Sequence, residues 1–305
     1  MAVNKKIILR RIRSVKNTRK ITKAMELVSA AKMKRAMEAV AGSRPYVERL
    51  RSLVRRIAET RNIAEHPLLA RREGRERVLL VLIMSDRGLC GAYNVQLVRR
   101  VRQFLAEHAQ EVEVDVIAVG KRAGHAAKRL GLNLLALYPN VTASPRAAHA
   151  RPIVKEILNG YISERYDDVF LAFTDFRSAI AQIPRVMTLL PMKKMFEDFG
   201  SVPKHALGGE ERAPLEIAEA AECLFEPNQE VVLDFALSRI VESMVYQALL
   251  ESSASEHSAR RMAMQNASEA AAEMIESLTL TFNQARQAAI TQEIAEISSG
   301  KAALE

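Results

Sequence analysis

Residues 1–41 contain neither Gly nor Pro and are rich in Ala, Lys, Arg, Met, Leu and Glu. These residues keep most of their side-chain freedom in a helix, so a long helix is predicted. Apolar and small residues recur there at helical spacing, as Ile21, Ala24, Met25, Val28 and Ala31. Gly42 and Pro45 mark an expected kink or end. The helical pattern resumes through Val47, Leu50, Val54 and Ile57. Arg61 to Arg77, with Pro67 and Gly74, reads as a linker.

A different texture fills residues 78–190. Val78–Met84 is a continuous aliphatic run, the mark of a strand buried on both faces. A helix is predicted over Asn94–Gln110, a second strand over Val112–Val119 and a helix over Lys121–Leu130. A helix around Ile153–Ser163 precedes a third strand, Asp168–Phe173, and Arg185–Leu190 is a candidate fourth. Strands alternating with helices predict an α/β domain of Rossmann-like type with a mostly parallel sheet. Residues 191–227 carry four Pro and three Gly and read as irregular, with a short piece of structure around Leu215–Leu224.

From Asn228 to Ser299 there is again no Gly and no Pro, over 72 residues. One continuous helix of that length spans on the order of 105 Å at about 1.5 Å per residue. It carries a seam of Met264, Ser268, Ala271, Ile275, Leu278, Phe282, Ala285 and Ala289, at alternating spacings of 4 and 3. That is a heptad repeat, and its small members allow close helix approach. Two long helices at opposite ends of the chain therefore flank an α/β insert. An antiparallel pair is the simplest way to bury both stripes. The expected division is a helix over 1–61, a linker over 62–77, an α/β domain over 78–227 and a helix over 228–305.

Charge sharpens this picture. The net charge is +9 over 305 residues, but residues 1–61 hold eighteen Lys and Arg against four Glu. Residues 228–305 hold five Lys and Arg against eleven Asp and Glu. A basic end of this density suits a partner, because cations sharing a helix face repel one another. An acidic protein, an anionic lipid surface or a nucleic acid each fits. Against nucleic acid, the first aromatic residue is Tyr46, so the basic segment offers no platform for base stacking. Two cysteines 133 positions apart, Cys90 and Cys223, form no disulfide framework and no zinc spacing, and a reducing compartment is expected. No signal peptide is expected, since Lys5, Lys6, Arg10, Arg11 and Arg13 interrupt the early apolar residues.

Candidate chemistry is sparse. Ser85–Gly91 joins the first strand to a helix, where backbone amides are able to cradle a phosphate. The loop matches neither the dinucleotide fingerprint nor the P-loop, and a structural turn is the plainer reading. Cys90 reads as a small buried thiol rather than a nucleophile. His66, His108, His125, His149, His205 and His257 show no metal-ligand spacing and are expected at the surface, and no metal or cofactor is expected. Asp167-Asp168 reads as a turn. Met25, Met33 and Met37 fit core packing or an adaptable contact surface.

The stretch from Ile12 to Met33 (IRSVKNTRKITKAMELVSAAKM) resembles the opening helix of the F-type ATP synthase gamma subunit family. Ser85–Asn94 (SDRGLCGAYN) is similar to that family's first strand-to-helix turn. Ala254–Ala267 (ASEHSARRMAMQNA) and Asn283–Gly300 (NQARQAAITQEIAEISSG) are similar to its closing helix. The likeness covers nearly the whole chain, and residues 200–222 depart from it. The regulatory cysteine segment of chloroplast relatives is not seen, and a bacterial source is expected.

The resemblance implies a central rotor shaft without catalysis of its own. Its terminal helices form an antiparallel coiled coil inside a ring of α and β subunits, one copy per complex. The α/β domain sits against the epsilon subunit and the c-ring, at the cytoplasmic face of the plasma membrane. It further implies that Lys5, Lys6, Arg10, Arg11, Arg13, Lys16, Arg19, Lys20 and Lys23 face acidic β-subunit loops, with Met25 among them. Arg286, Gln287 and Thr291 match a polar catch, Ile290, Ile294 and Ile297 a bearing tip, and Phe225 and Glu226 a foot segment. A nucleotide-dependent α/β enzyme and a basic coiled-coil nucleic-acid binder are the competing readings.

Overall fold

The aliphatic run after Arg77 forms the central strand of a five-stranded sheet. A computed structural model of the chain describes residues 5–60, 66–70, 77–108, 112–192 and 226–302. The elements are α1 (Lys5–Thr60), β1 (Arg77–Ile83), α2 (Tyr93–His108), β2 (Glu113–Val119) and α3 (Lys121–Arg129). They continue with β3 (Asn133–Tyr138), α4 (Ala147–Ile162), β4 (Asp168–Phe176), β5 (Gln182–Leu190) and α5 (Gln229–Ala302). The strand order is β3-β2-β1-β4-β5. β1 runs parallel to β2 and β4, β2 parallel to β3, and only β5 is antiparallel, forming a hairpin with β4.

Two compact units divide the chain, residues 1–29 with 260–305, and residues 30–259. Both long helices contribute to both units.

In the larger unit the sheet is buried on both faces. Leu79, Val81 and Ile83 point to one face and join Ile153, Ile157 and Tyr161 of α4 and Leu237, Val241 and Leu249 of α5. Leu80, Leu82 and Met84 point to the other, against Leu97, Val101 and Phe104 of α2 and the alanines of α3. The alternation is the two-residue period of a strand covered on both sides. One stretch of α5 is polar yet buried, from Ser252 to Ser258. Its side chains bond the β4–β5 hairpin: Ser255 Oγ donates to Thr174 O of β4 (3.2 Å) and Ser258 Oγ to Ala179 O in the turn (2.7 Å). Burial pushes the nearby Tyr93 phenol upward, and Glu256 adds to the effect.

Three expectations change. α1 runs unbroken through Gly42 and Pro45, although Pro removes one helical N–H. Leu50, Leu53 and Val54 pack on the sheet core beyond it, and that burial outweighs the local breaker. β3 was not foreseen, because as an edge strand it alternates only between half-buried and exposed positions. As expected, the third predicted strand opens at Asp168, which is buried, after a bend at Asp167, whose carboxylate accepts a hydrogen bond from the Arg77 amide (3.1 Å). His257 is buried, and its Nε2 bonds Ala143 O at 3.2 Å. Within the expected linker, the His66–Ala70 turn is described, and Leu68 and Leu69 are core residues. Leu215–Leu224, Cys223 and Phe225 lie outside the described residues.

Candidate functional site

The smaller unit is built on two facing heptad stripes. On α1 the buried or half-buried positions of this unit are Lys5, Ile8, Ile12, Val15, Thr22, Met25, Glu26 and Ser29. On α5 every seam residue from Met264 to Ala289 is buried or half-buried, while most of its neighbours are exposed. Thr22 Oγ1 and Ser268 Oγ lie 2.6 Å apart across the antiparallel pair. Thr22 Oγ1 also donates to Arg19 O (3.0 Å), so Ser268 is the donor of the shared bond. Counting outward from this contact in opposite directions sets Ile12 level with Leu278, Ile8 with Phe282 and Lys5 with Ala285.

The stripe foreseen on α1 is not the one that packs. Ile21 and Val28 are 61% and 56% exposed, and Ala24 and Ala31 are exposed as well, while Met25 is half-buried. Ile21 and Val28 lie one residue from Thr22 and Ser29, a rotation of about 100° around the helix, and Ala24 and Ala31 lie two residues from the buried positions. The apolar stripe thus faces outward beside the cations. Lys6, Arg10, Arg11, Arg13, Lys16, Arg19, Lys20 and Lys23 are all exposed, and Lys5 is half-buried. From Lys5 to Lys23 there is no acidic residue to offset them. Lys23 Nζ sits 3.0 Å from the largely buried Glu26 carboxylate.

Beyond Ala289, α5 has no α1 residue level with it among the described residues, and all side chains from 290 to 299 are exposed. Ile290, Ile294 and Ile297 are 46%, 62% and 74% exposed and share one helix face by their spacing of 4 and 3. Arg286 and Gln287 are exposed, and Thr291 Oγ1 donates to Gln287 O (3.0 Å). Glu226, just before α5, is exposed.

In the larger unit, the Ser85–Asn94 loop is occupied by its own hydrogen bonds. Asp86 Oδ1 accepts from the amides of Lys121 (3.0 Å) and Asn140 (2.8 Å), and its Oδ2 accepts from Thr142 Oγ1 (3.0 Å). Lys121 opens α3, so a protein carboxylate takes the helix-start amide that a phosphate would use. Asn94 Oδ1 accepts from the Ser85 amide (3.2 Å), and Asn94 Nδ2 donates to the buried Cys90 Sγ (3.2 Å). A Cβ on Gly120, at φ 91°, would stand 2.0 Å from Met84 O, which is why Gly is required there. The role of Asp86 was missed in the sequence, where an Asp after a buried strand was the available signal. No group of metal-ligating side chains occurs among the described residues. No described helix is long and apolar enough to cross a membrane.

Comparison with known proteins identifies the family. The family model described as ATP synthase matches residues 4–304. The ATP synthase gamma chain of Pelotomaculum thermopropionicum is 41% identical over 296 residues, 97% of each chain. That of Symbiobacterium thermophilum is 40% identical over 306 residues and the whole of both chains. Among solved structures, a chain of the Tetrahymena thermophila mitochondrial ATP synthase central stalk and c-ring is 26% identical with a TM-score of 0.58, covering 81% of this chain and 99% of that one. A chain of the Euglena gracilis mitochondrial ATP synthase shares the fold at 19% identity and a TM-score of 0.64, over 98% and 94% of the two chains. Relatives matched over their whole length, on a chain whose long helices pair along a heptad seam, place this protein in the ATP synthase gamma chain family.

Proposed function

We propose that this chain is the central rotor shaft of a proton-translocating F-type ATP synthase. It couples proton flow through the membrane sector to ATP synthesis or hydrolysis in a ring of α and β subunits. One observation carries the reading: a long helix whose cations from Lys6 to Lys23 all face outward, with no acidic residue among them, paired along a heptad seam to a second helix. Coupling by rotation is differential contact. Each orientation of the shaft favours a different β conformation, so turning it shifts their nucleotide affinities. Many weak charge contacts suit a turning surface, since exposed ion pairs contribute only about 0–1 kcal/mol each and no orientation becomes a deep trap.

In this reading the shaft helices are residues 1–61 and 228–305, the foot is 78–227 and residues 62–77 link them. Lys5, Lys6, Arg10, Arg11, Arg13, Lys16, Arg19, Lys20, Lys23 and Met25 meet acidic β loops. Arg286, Gln287 and Thr291 form the polar catch. Ile290, Ile294 and Ile297 run in an apolar sleeve, which suits isoleucines standing on an otherwise exposed helix end. Phe225 and Glu226 belong to the foot, near the epsilon subunit and the c-ring. The chain performs no catalysis itself, binds no cofactor or nucleic acid, and reaches the cytoplasmic face of the membrane only through its partners.

Reconstitution tests this. The purified chain is mixed with α and β subunits of the family and ATP, and complex mass and ATP turnover are followed together. One copy joining a hexamer, with turnover lost in a Met25→Ala, Arg286→Ala, Gln287→Ala variant, is the expected result. A chain that stays alone, or hydrolyses ATP without partners, removes the rotor reading.

A further inference from the structure

The two edges of the sheet are treated differently. β5 forms one edge and carries Pro184 and Arg185 within the strand, with Arg185 Nε 3.1 Å from the Asp175 carboxylate. A proline and a charge are the ordinary means by which an edge strand is kept from pairing with another chain. β3 forms the other edge, and its sequence, NLLALY, has neither. Among the described residues it pairs only with β2, and its Leu135 and Leu137 are 38% and 45% exposed. Its ladder to β2 passes over Leu135 between Leu134 and Ala136, but with exposed leucines and neither proline nor charge this six-residue edge still offers a template for a further strand.

The helix beside that edge says what kind of strand. α3 packs on β3 and β2, and Leu137 touches it at Gly124, where an added Cβ would stand 3.1 Å from the leucine Cδ1. α3 splits cleanly by residue type. Ala123, Gly124, Ala126 and Ala127 are buried, and Lys121, Arg122, His125, Lys128 and Arg129 are exposed. Every side chain it turns to solvent is thus basic. No ion pair to any of these five occurs among the described residues. Arg99 and Arg102 of α2 are exposed on the same face of the sheet. The exposed side of α3 offers no aliphatic or aromatic anchor of its own, and the nearest apolar contact is the β3 edge itself.

We infer that β3 is an assembly edge, and that it takes an extended acidic segment of a partner subunit as a sixth strand. The backbone of that segment pairs with β3, its apolar side chains rest on Leu135 and Leu137, and its carboxylates answer α3. The guarded edge at β5 stays free. This inference rests on the rotor reading for the existence of partner subunits, and it adds a surface that the cationic shaft helix does not include.

Hydrogen exchange on the assembled complex tests it, with complex mass recorded on the same sample. The expected result is exchange of the β3 amides slowed by about tenfold or more relative to the free chain, with β5 unchanged. In a Lys128→Glu, Arg129→Glu variant that slowing should be lost at moderate salt while the shaft still assembles. A Leu135→Lys variant, at an exposed position that leaves the core intact, should lose it at any salt. Assembly with β3 exchange unchanged would sink this inference and leave the rotor reading standing. Failure to assemble would sink both. Flotation of the chain with phosphatidylglycerol vesicles but not phosphatidylcholine vesicles, with β3 still unprotected in the complex, would assign α3 to a lipid surface and overturn the sixth strand.

Discussion

Thr22 and Ser268 share a hydrogen bond of 2.6 Å across the antiparallel helix pair, inside an otherwise largely apolar seam. This pairing favours one register, because a slip by one turn would take the Ser268 hydroxyl away from its acceptor, while Thr22 keeps its bond to Arg19 O. Thr22→Val should therefore destabilise the chain by about 1–3 kcal/mol, the usual cost of one orphaned buried hydroxyl. Thr22→Val with Ser268→Ala should cost clearly less than the sum of the two single changes. Urea unfolding of the four proteins reads this directly, and simple additivity would mean that the bond does not set the register.

The cationic face of α1 should act in assembly and not in folding. Replacing Arg10, Arg13 and Lys20 by Ala should leave the thermal midpoint of the isolated chain unchanged or slightly raised, since like charges on one helix face repel. Binding to the α/β ring should weaken by roughly 3-fold to 100-fold, taking about 0.2–1 kcal/mol for each exposed contact. The salt dependence of binding should become shallower. An unchanged affinity would remove these residues from the contact surface.

Asp86 closes the loop after β1 onto α3 and onto the turn after β3. Asp86→Ala leaves the amides of Lys121 and Asn140 without their acceptor, at a cost of about 2–3 kcal/mol for hydrogen bonds to a charged group. ATP binding to the isolated chain should stay undetectable in this variant. Binding that appears once the carboxylate is gone would show that the loop can hold phosphate.

Two glycines should respond in opposite directions. Gly42 has nothing within 4 Å of an added Cβ and lies inside α1, so Gly42→Ala should stabilise by about 0.5–1 kcal/mol. Gly120→Ala drives a Cβ into the Met84 carbonyl at a positive φ and should leave little folded protein. Circular dichroism melts separate the two outcomes.

Stability should fall at alkaline pH. Burial and the Glu156 carboxylate push the Tyr138 phenol up to about 12 from its ordinary value of 10.0. Burial and the Asp115 carboxylate, which accepts the Tyr166 hydroxyl at 2.7 Å, push Tyr166 upward as well. A raised value means that the folded state holds the proton longer. The stabilisation is complete below pH 10, where both states are protonated, and is lost as the pH climbs towards 12. Denaturant midpoints measured across that range should drop less steeply in Tyr138→Phe.

Much of this architecture is legible before folding. Val78–Met84 announces a strand because an uninterrupted aliphatic run has no polar face to turn outward. Met264 to Ala289 announces a coiled coil because its spacing repeats every seven residues. β3 escaped because an edge strand is covered on neither side as a central one is, so its pattern is weak. The basic face of α3 escaped for another reason. Lys121, Arg122, Lys128 and Arg129 look like ordinary helix surface until the helix is seen beside an edge without proline or charge.

Local chemistry alone determined the length of the C-terminal helix, the heptad period, the buried central strands and the basic character of residues 1–61. Each follows from propensity, spacing or counting, which need no partner. Burial beyond Pro45, by contrast, carried α1 through its local breaker. Tertiary structure decided which side of α1 is inside. Ile21, Ala24 and Val28 are the more apolar stripe, yet Thr22, Glu26 and Ser29 are the buried one. A helix offers all its faces equally, and the one that packs is chosen by what stands opposite. Here that is a narrow seam with Ser268 and Ala271, where Thr22 finds both space and a hydrogen bond, so the apolar stripe is left on the exposed face.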